Sequence, residues 1–99
     1  SNQFRMLNAF LAGFDKNGHP CCIRADVARQ EYDHPDMKFV EKVAGTTILS
    51  SDGKKITDKI RGDRGSYNRK DKTISLLGNV RVDSDNGDKI LTDELVIQL

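Results

Sequence analysis

The 99 residues predict an all-β chain of stacked antiparallel hairpins, and three observations carry that reading. Val, Ile and Thr number eighteen while Ala numbers only five, a balance that favours strands over helices. Twelve of the fifteen acidic residues are Asp rather than Glu, and Asp suits turns. Asn-Gly and Asp-Gly steps recur between runs of alternating polarity, and these steps supply the left-handed residues that tight hairpins need.

Taken in chain order, Ser1-Asn2 reads as the scar of a cleaved expression tag, outside the fold. The first eleven residues are ambiguous, because Phe4, Leu7, Phe10 and Leu11 also fit a helical stripe. A strand is favoured there by consistency with the remaining chain. Asp15-Lys16-Asn17-Gly18 marks the first turn, and a strand through Ile23-Arg24-Ala25-Asp26 follows it. Tyr32 to Asp36 is a break around Pro35. Val43, Gly45, Thr47 and Leu49 then alternate with Ala44, Thr46 and Ile48 up to the turn Ser51-Asp52-Gly53. A strand through Ile60-Arg61-Gly62-Asp63 runs to a polar break at Asn68 to Lys72. The clearest strand comes next: Ile74, Leu76, Gly78, Val80 and Val82 alternate with Ser75, Asn79, Arg81 and Asp83. Gly78 inside it suggests a bulge, a bend or a close backbone approach. Asp85-Asn86-Gly87 is the last turn. In the final strand Leu91, Leu95, Ile97 and Leu99 share one face, interrupted by Asp93.

Composition excludes several classes of function. Sixteen basic against fifteen acidic residues leave a net charge of +1, short of the basic excess expected of a nucleic-acid binder. Only Tyr32 and Tyr67 qualify as base-stacking aromatics, and neither has a basic setting. No run of about eighteen apolar residues is present to span a membrane. Cys21 and Cys22 are adjacent, so on a strand they point to opposite faces rather than converging on a metal. His19 and His34 each neighbour a proline in a predicted turn, with no nucleophile or ligand set beside them. No pair of carboxylates is singled out by an apolar setting. No catalytic residues, metal site or cofactor are therefore expected. Arg61-Gly62-Asp63 matches an adhesion tripeptide, but three residues inside a strand are a weak signal.

An internal echo runs through the chain. Ile23-Arg24-Ala25-Asp26, Ile60-Arg61-Gly62-Asp63 and Ile90-Leu91-Thr92-Asp93 each read Ile, any residue, a small residue, Asp. Repetition at this scale points to one hairpin unit stacked on copies of itself. Asp26, Asp63 and Asp93 are then expected to end strands or to accept backbone N–H groups at the following bend.

With these segments in place, the chain resembles the LptC family of lipopolysaccharide export proteins. The resemblance runs from about Gly13 to Leu99. Its most specific parts are Ile74-Ser75-Leu76-Leu77-Gly78-Asn79-Val80-Arg81-Val82 and Thr92-Asp93-Glu94-Leu95, which the related LptA and the N-terminal domain of LptD share. The preference for LptC over LptA rests on Gly13 to Asp26. The resemblance implies an incomplete β-jellyroll, shaped like a taco shell of two facing sheets, with an apolar lumen for acyl chains. It implies a non-enzymatic protein tethered in the inner membrane by one N-terminal helix, with its domain in the periplasm. Its implied partners are lipopolysaccharide, the LptB/LptF/LptG transporter and LptA. Residues 1–99 are expected to form that single domain, with the anchor and later strands outside the sequence. An LptA-like soluble bridge, or a β-structural interaction module without lipid, remains the alternative.

A lipid conduit needs a continuous apolar groove. The inward positions Phe14, Ile23, Ala25, Val43, Ile60, Ile74, Leu76, Gly78, Val80, Val82, Leu95 and Ile97 are expected to line it. Arg24, Lys54, Lys55 and Arg61 are candidate rim cations for phosphate groups. The final run, Leu95, Val96, Ile97 and Leu99, is the expected partner edge, since an open strand recruits another strand and also favours self-association.

Overall fold

Turn chemistry and alternation produce six strands: β1 (Gln3–Phe14), β2 (Pro20–Glu31), β3 (Met37–Ser51), β4 (Lys54–Asn68), β5 (Thr73–Ser84) and β6 (Lys89–Gln98). The computed structural model describes residues 3–14, 18 and 20–99, and the side chains of 11–14, 20–22 and 49–51 lie outside that description. Each strand pairs antiparallel with its sequence neighbour, giving one sheet in the order β1-β2-β3-β4-β5-β6. The helical alternative for the N-terminal segment is therefore overturned. Most of the first turn, at 15–17, lies outside the described residues.

The described turns follow their residues. Asp52 and Gly53 both adopt left-handed backbone (φ 51° and 76°), the geometry of a two-residue primed hairpin turn. Between β4 and β5, the Asn68 side chain accepts the Asp71 N–H at 3.0 Å and donates to the Asp71 carboxylate at 3.0 Å. Gly87 turns the last hairpin with φ 95°. Arg69 crosses from the β4–β5 turn to the β2–β3 turn, donating to the Asp36 carboxylate at 2.7 Å. Its backbone N–H donates to the Asp36 carbonyl at 2.8 Å, which binds these two turns into one rim.

One column of positions interrupts every ladder. Pairing passes from Leu7↔Val27 to Ala9↔Ala25 and skips Asn8 opposite Asp26. It likewise skips Asp26 opposite Lys42, and Lys42 opposite Asp63. Between β4 and β5 the register shifts from Arg61↔Arg81 to Arg64↔Leu77, and between β5 and β6 from Val80↔Thr92 to Leu77↔Glu94. The odd strands fill this column with left-handed residues: Asn8 (φ 52°), Lys42 (φ 53°), and the pair Gly78 (φ 82°) and Asn79 (φ 47°). The even strands fill it with Asp26, Asp63 and Asp93. The repeated Ile-x-small-Asp segment thus puts its Asp in the middle of each even strand. The expectation that these residues end strands or accept backbone N–H groups at a bend is corrected: each lies mid-strand, and Asp63 accepts a hydrogen bond at 2.8 Å from the Asn79 side chain across the column.

This crease changes the phase of alternation. Ala25 and Ala28 are both buried although three residues apart, and so are Gly62 and Gly65. The same shift puts Leu7 and Phe10, three apart in β1, both exposed, which accounts for the helix-like stripe. It also corrects the face assigned to Leu91. Leu91 is 79% exposed opposite Arg81, whereas Leu95 and Ile97 pack against the core.

The crease and the strand twist curl the sheet around its apolar face. Ile23 of β2 and Ile97 of β6 line one small void with Val43, Ile60 and Leu76. Four strand spacings in a flat sheet would separate those two strands by about 19 Å. The two facing layers expected from sequence are therefore halves of one continuous, curled sheet. Its concave face holds the core of Ile23, Ala25, Val43, Ile60, Ile74, Leu76, Val80 and Val82.

Candidate apolar groove

The core does not fill the concave face. Across the crease, the small side chains of Ala9, Ala25 and Ala28 leave an open cavity of about 160 Å³. Met6, Phe10, Ile23, Val40, Ser66, Tyr67 and Ile74 complete its wall together with Lys38, so five of the six strands contribute. Small residues in β1 and β2 face medium ones in β3 to β5, and the groove is the difference between them. Its volume is comparable with that of an engineered protein cavity of about 150 Å³ that stays dry and binds benzene.

Gly65 is part of the same arrangement. A Cβ there would stand 2.6 Å from the Ser75 carbonyl oxygen and 2.9 Å from Leu76 Cδ2, so β4 and β5 approach closely beside the wall. Gly62, one step beyond the crease, has ordinary room: its nearest neighbours would be 3.5 and 3.6 Å away.

Polarity differs between the two ends of the concave face. Lys38 sits at the end near the β2–β3 turn, half-buried, with Nζ 5.7 Å from the centre of the Tyr67 ring. Tyr67 flanks it in the same cross-strand row. At the opposite end, Asp58 is half-buried opposite Thr47 and Ser84, and its carboxylate accepts a hydrogen bond from the Ser84 hydroxyl.

The expected lining residues are distributed as follows. Ile23, Ala25 and Ile74 line the open cavity, while Val43, Ile60, Leu76 and Ile97 line the smaller void deeper in the fold. Val80 and Val82 are buried in the core, and Leu95 packs against it. Gly78 does not face the groove. Its left-handed backbone directs the missing side chain toward Asp63 Oδ2, 3.0 Å away, and Arg64 Nη1, 3.3 Å away. The side chain of Phe14, like those of Cys21 and Cys22, lies outside the described residues.

The rim cations also need correction. Arg24 and Arg61 lie in one exposed cross-strand row with Ala44 between them, on the face away from the core, and Arg24 stacks on Phe10 at 5.8 Å. Lys54 and Lys55 belong to the β3–β4 hairpin, far along the sheet from the cavity. Lys38, the cation that does line the groove, was not singled out from sequence. Its signal was its spacing from Val40, two residues on; the phase change at Lys42 hides that both share a face with Val43.

Glu31, Asp33 and His34 form a cluster that sequence reading also missed, because the β2–β3 turn folds Glu31 back onto His34. His34 Nδ1 lies 3.1 Å from Asp33 and 3.4 Å from Glu31. His34 and Asp33 are exposed and Glu31 is only half-buried, and the three groups satisfy one another at the surface. His19 lies outside the described residues.

Among the described residues no helix is long and apolar enough to cross a membrane. A family model described as "Lipopolysaccharide-assembly, LptC-related" matches residues 14–99. No curated protein matches the chain.

Proposed function

The chain belongs to the LptC-related lipopolysaccharide-assembly family, and from that premise we propose that its concave face holds acyl chains during lipopolysaccharide transport. The reading rests on one observation: a cavity of about 160 Å³, walled by apolar groups of five strands, on the inner face of a curled sheet. Apolar surface already gathered on one face gains roughly 25 cal/mol for each Å² that a hydrocarbon chain covers. The role is non-enzymatic: chains are bound and handed on, with no bond made or broken. Ile23, Ala25, Val43, Ile60, Ile74, Leu76, Val80, Val82, Leu95 and Ile97 form the lining and its support.

In the same reading the domain works in the periplasm beside the inner membrane, receiving lipid from the LptB/LptF/LptG transporter and passing it to LptA. Docking uses the strand edge at Leu95, Val96, Ile97 and Leu99. An edge strand offers unpaired backbone groups, so pairing with another chain extends the sheet and its apolar face together.

The test is native mass spectrometry of the protein with lipopolysaccharide, comparing wild type with Met6→Trp. Met6 lines the cavity from the edge strand β1 and is half-buried, so a larger ring enters the groove with little disturbance of the core. Lipid retained by the wild type and reduced at least about fivefold in the variant is the expected result. Equal retention by both, at equal thermal stability, would overturn the proposal.

A further inference from the structure

Among the described residues that wall the open cavity, Lys38 is the one charged side chain. An ammonium held in an apolar wall is costly unless something compensates its lost hydration. Here water supplies part of that compensation, since Lys38 is half-buried and its ammonium is not among the buried polar atoms without a partner. Tyr67 offers a ring face at 5.7 Å, and among the described residues no carboxylate lies within 4.0 Å of Lys38 Nζ. Asp36, two residues away, is already engaged by Arg69 at 2.7 Å. The opposite end of the concave face carries the opposite sign at Asp58. Counting along β3, Thr47, the partner of Asp58, is nine residues from Lys38, or roughly 30 Å at about 3.3 Å per residue.

We infer that Lys38 is an anion-binding residue that selects amphiphiles with a negatively charged phosphate head and orients them with that head toward the β2–β3 turn. The inference rests on the acyl-groove reading and adds ligand polarity and direction to it. The alkyl chain lies over Ala25, Ala28, Val40 and Ile74. The phosphate oxygens accept hydrogen bonds from the Lys38 ammonium, a charge-assisted contact strengthened by the apolar surroundings. A reversed chain would bring its anion toward Asp58, where like charges repel.

Calorimetric titration of the whole chain with decyl phosphate, decanol and inorganic phosphate tests this. The wild type is expected to bind decyl phosphate about tenfold more tightly than decanol, and inorganic phosphate far more weakly than either. Lys38→Met should abolish the preference for decyl phosphate over decanol, and Lys38→Arg should retain it. Undiminished decyl phosphate binding by Lys38→Met overturns the role of Lys38 and leaves the groove reading intact. Equal affinity of the wild type for the two amphiphiles does the same. Inorganic phosphate binding as tightly as decyl phosphate overturns the amphiphile and leaves a bare anion site. A wild type that binds neither amphiphile overturns the groove and the Lys38 assignment together.

Discussion

Two buried glycines show how sharply a single Cβ is judged in this sheet. Gly65 has no space for one, since a backbone carbonyl oxygen would lie 2.6 Å away and backbone cannot swing aside. Gly65→Ala is expected to destabilise the protein by about 1–3 kcal/mol, the range for overpacking a filled site. Gly62 has normal van der Waals room against Leu76 and Val80. Gly62→Ala is expected to be neutral or stabilising by up to about 1 kcal/mol, because the unfolded chain loses freedom. Denaturant titration of both variants checks the contrast, and a similar loss in the two would sink it. Gly78 illustrates a different demand. The sequence placed it inward by strict alternation, but its φ of 82° turns it to the crease. The need there is for a conformation, not for an empty place in the groove.

At the level of the strand, the crease is a built feature shared by all six elements. Each odd strand spends a left-handed residue on it, and an L-residue in that region costs roughly 1–2 kcal/mol. Asn tolerates the conformation comparatively well, which suits Asn8 and Asn79. Lys42 has no such advantage, and its side chain is exposed. Lys42→Gly is therefore expected to match or exceed wild-type stability, against the usual penalty for glycine in a strand. Lys42→Val, a good strand former elsewhere, is expected to cost about 1–2 kcal/mol because branching at Cβ opposes positive φ. Thermal melts of the two variants decide the matter, and the reverse order would show that Lys42 is not constrained as described.

For the whole molecule, topology and burial make a gradient. The buried apolar side chains concentrate in β5, through Ile74, Leu76, Val80 and Val82, while β2 adds Ile23, Ala25 and Ala28, β3 adds Val43 and β4 adds Ile60. Strand β1 lies at one edge, and none of its described side chains is buried. Amide exchange measured by mass spectrometry should show β5 most protected and β1 least, since local opening is cheapest where little apolar area is lost. Uniform protection across the sheet would contradict the gradient. The same asymmetry suits a groove: the wall formed by β1 is the part that can yield to an entering chain, while β5 holds the opposite wall through Ile74.

Much was legible from residues alone. Asn-Gly and Asp-Gly steps marked hairpins, β-branched alternation marked strands, and the Ile-x-small-Asp echo marked one register row repeated on β2, β4 and β6. The segments around Ile74 to Val82 and Thr92 to Leu95 pointed to the family to which the chain belongs. These features are local: each depends on one residue's backbone preference or on neighbours two positions away. The inward set past the crease was decided only by the tertiary structure. A left-handed residue at Lys42 reverses the alternation of everything beyond it, and its conformation is imposed by paired strands rather than by lysine chemistry. The matching irregularity around Asp93 on β6 sends Leu91 outward, and the reversal at Lys42 puts Lys38 on the same face as Val43, so Lys38 rather than Arg24 or Arg61 is the cation of the groove. Which charge faces the ligand depends on the summed phase of the strand, and that sum exists only once the sheet has formed.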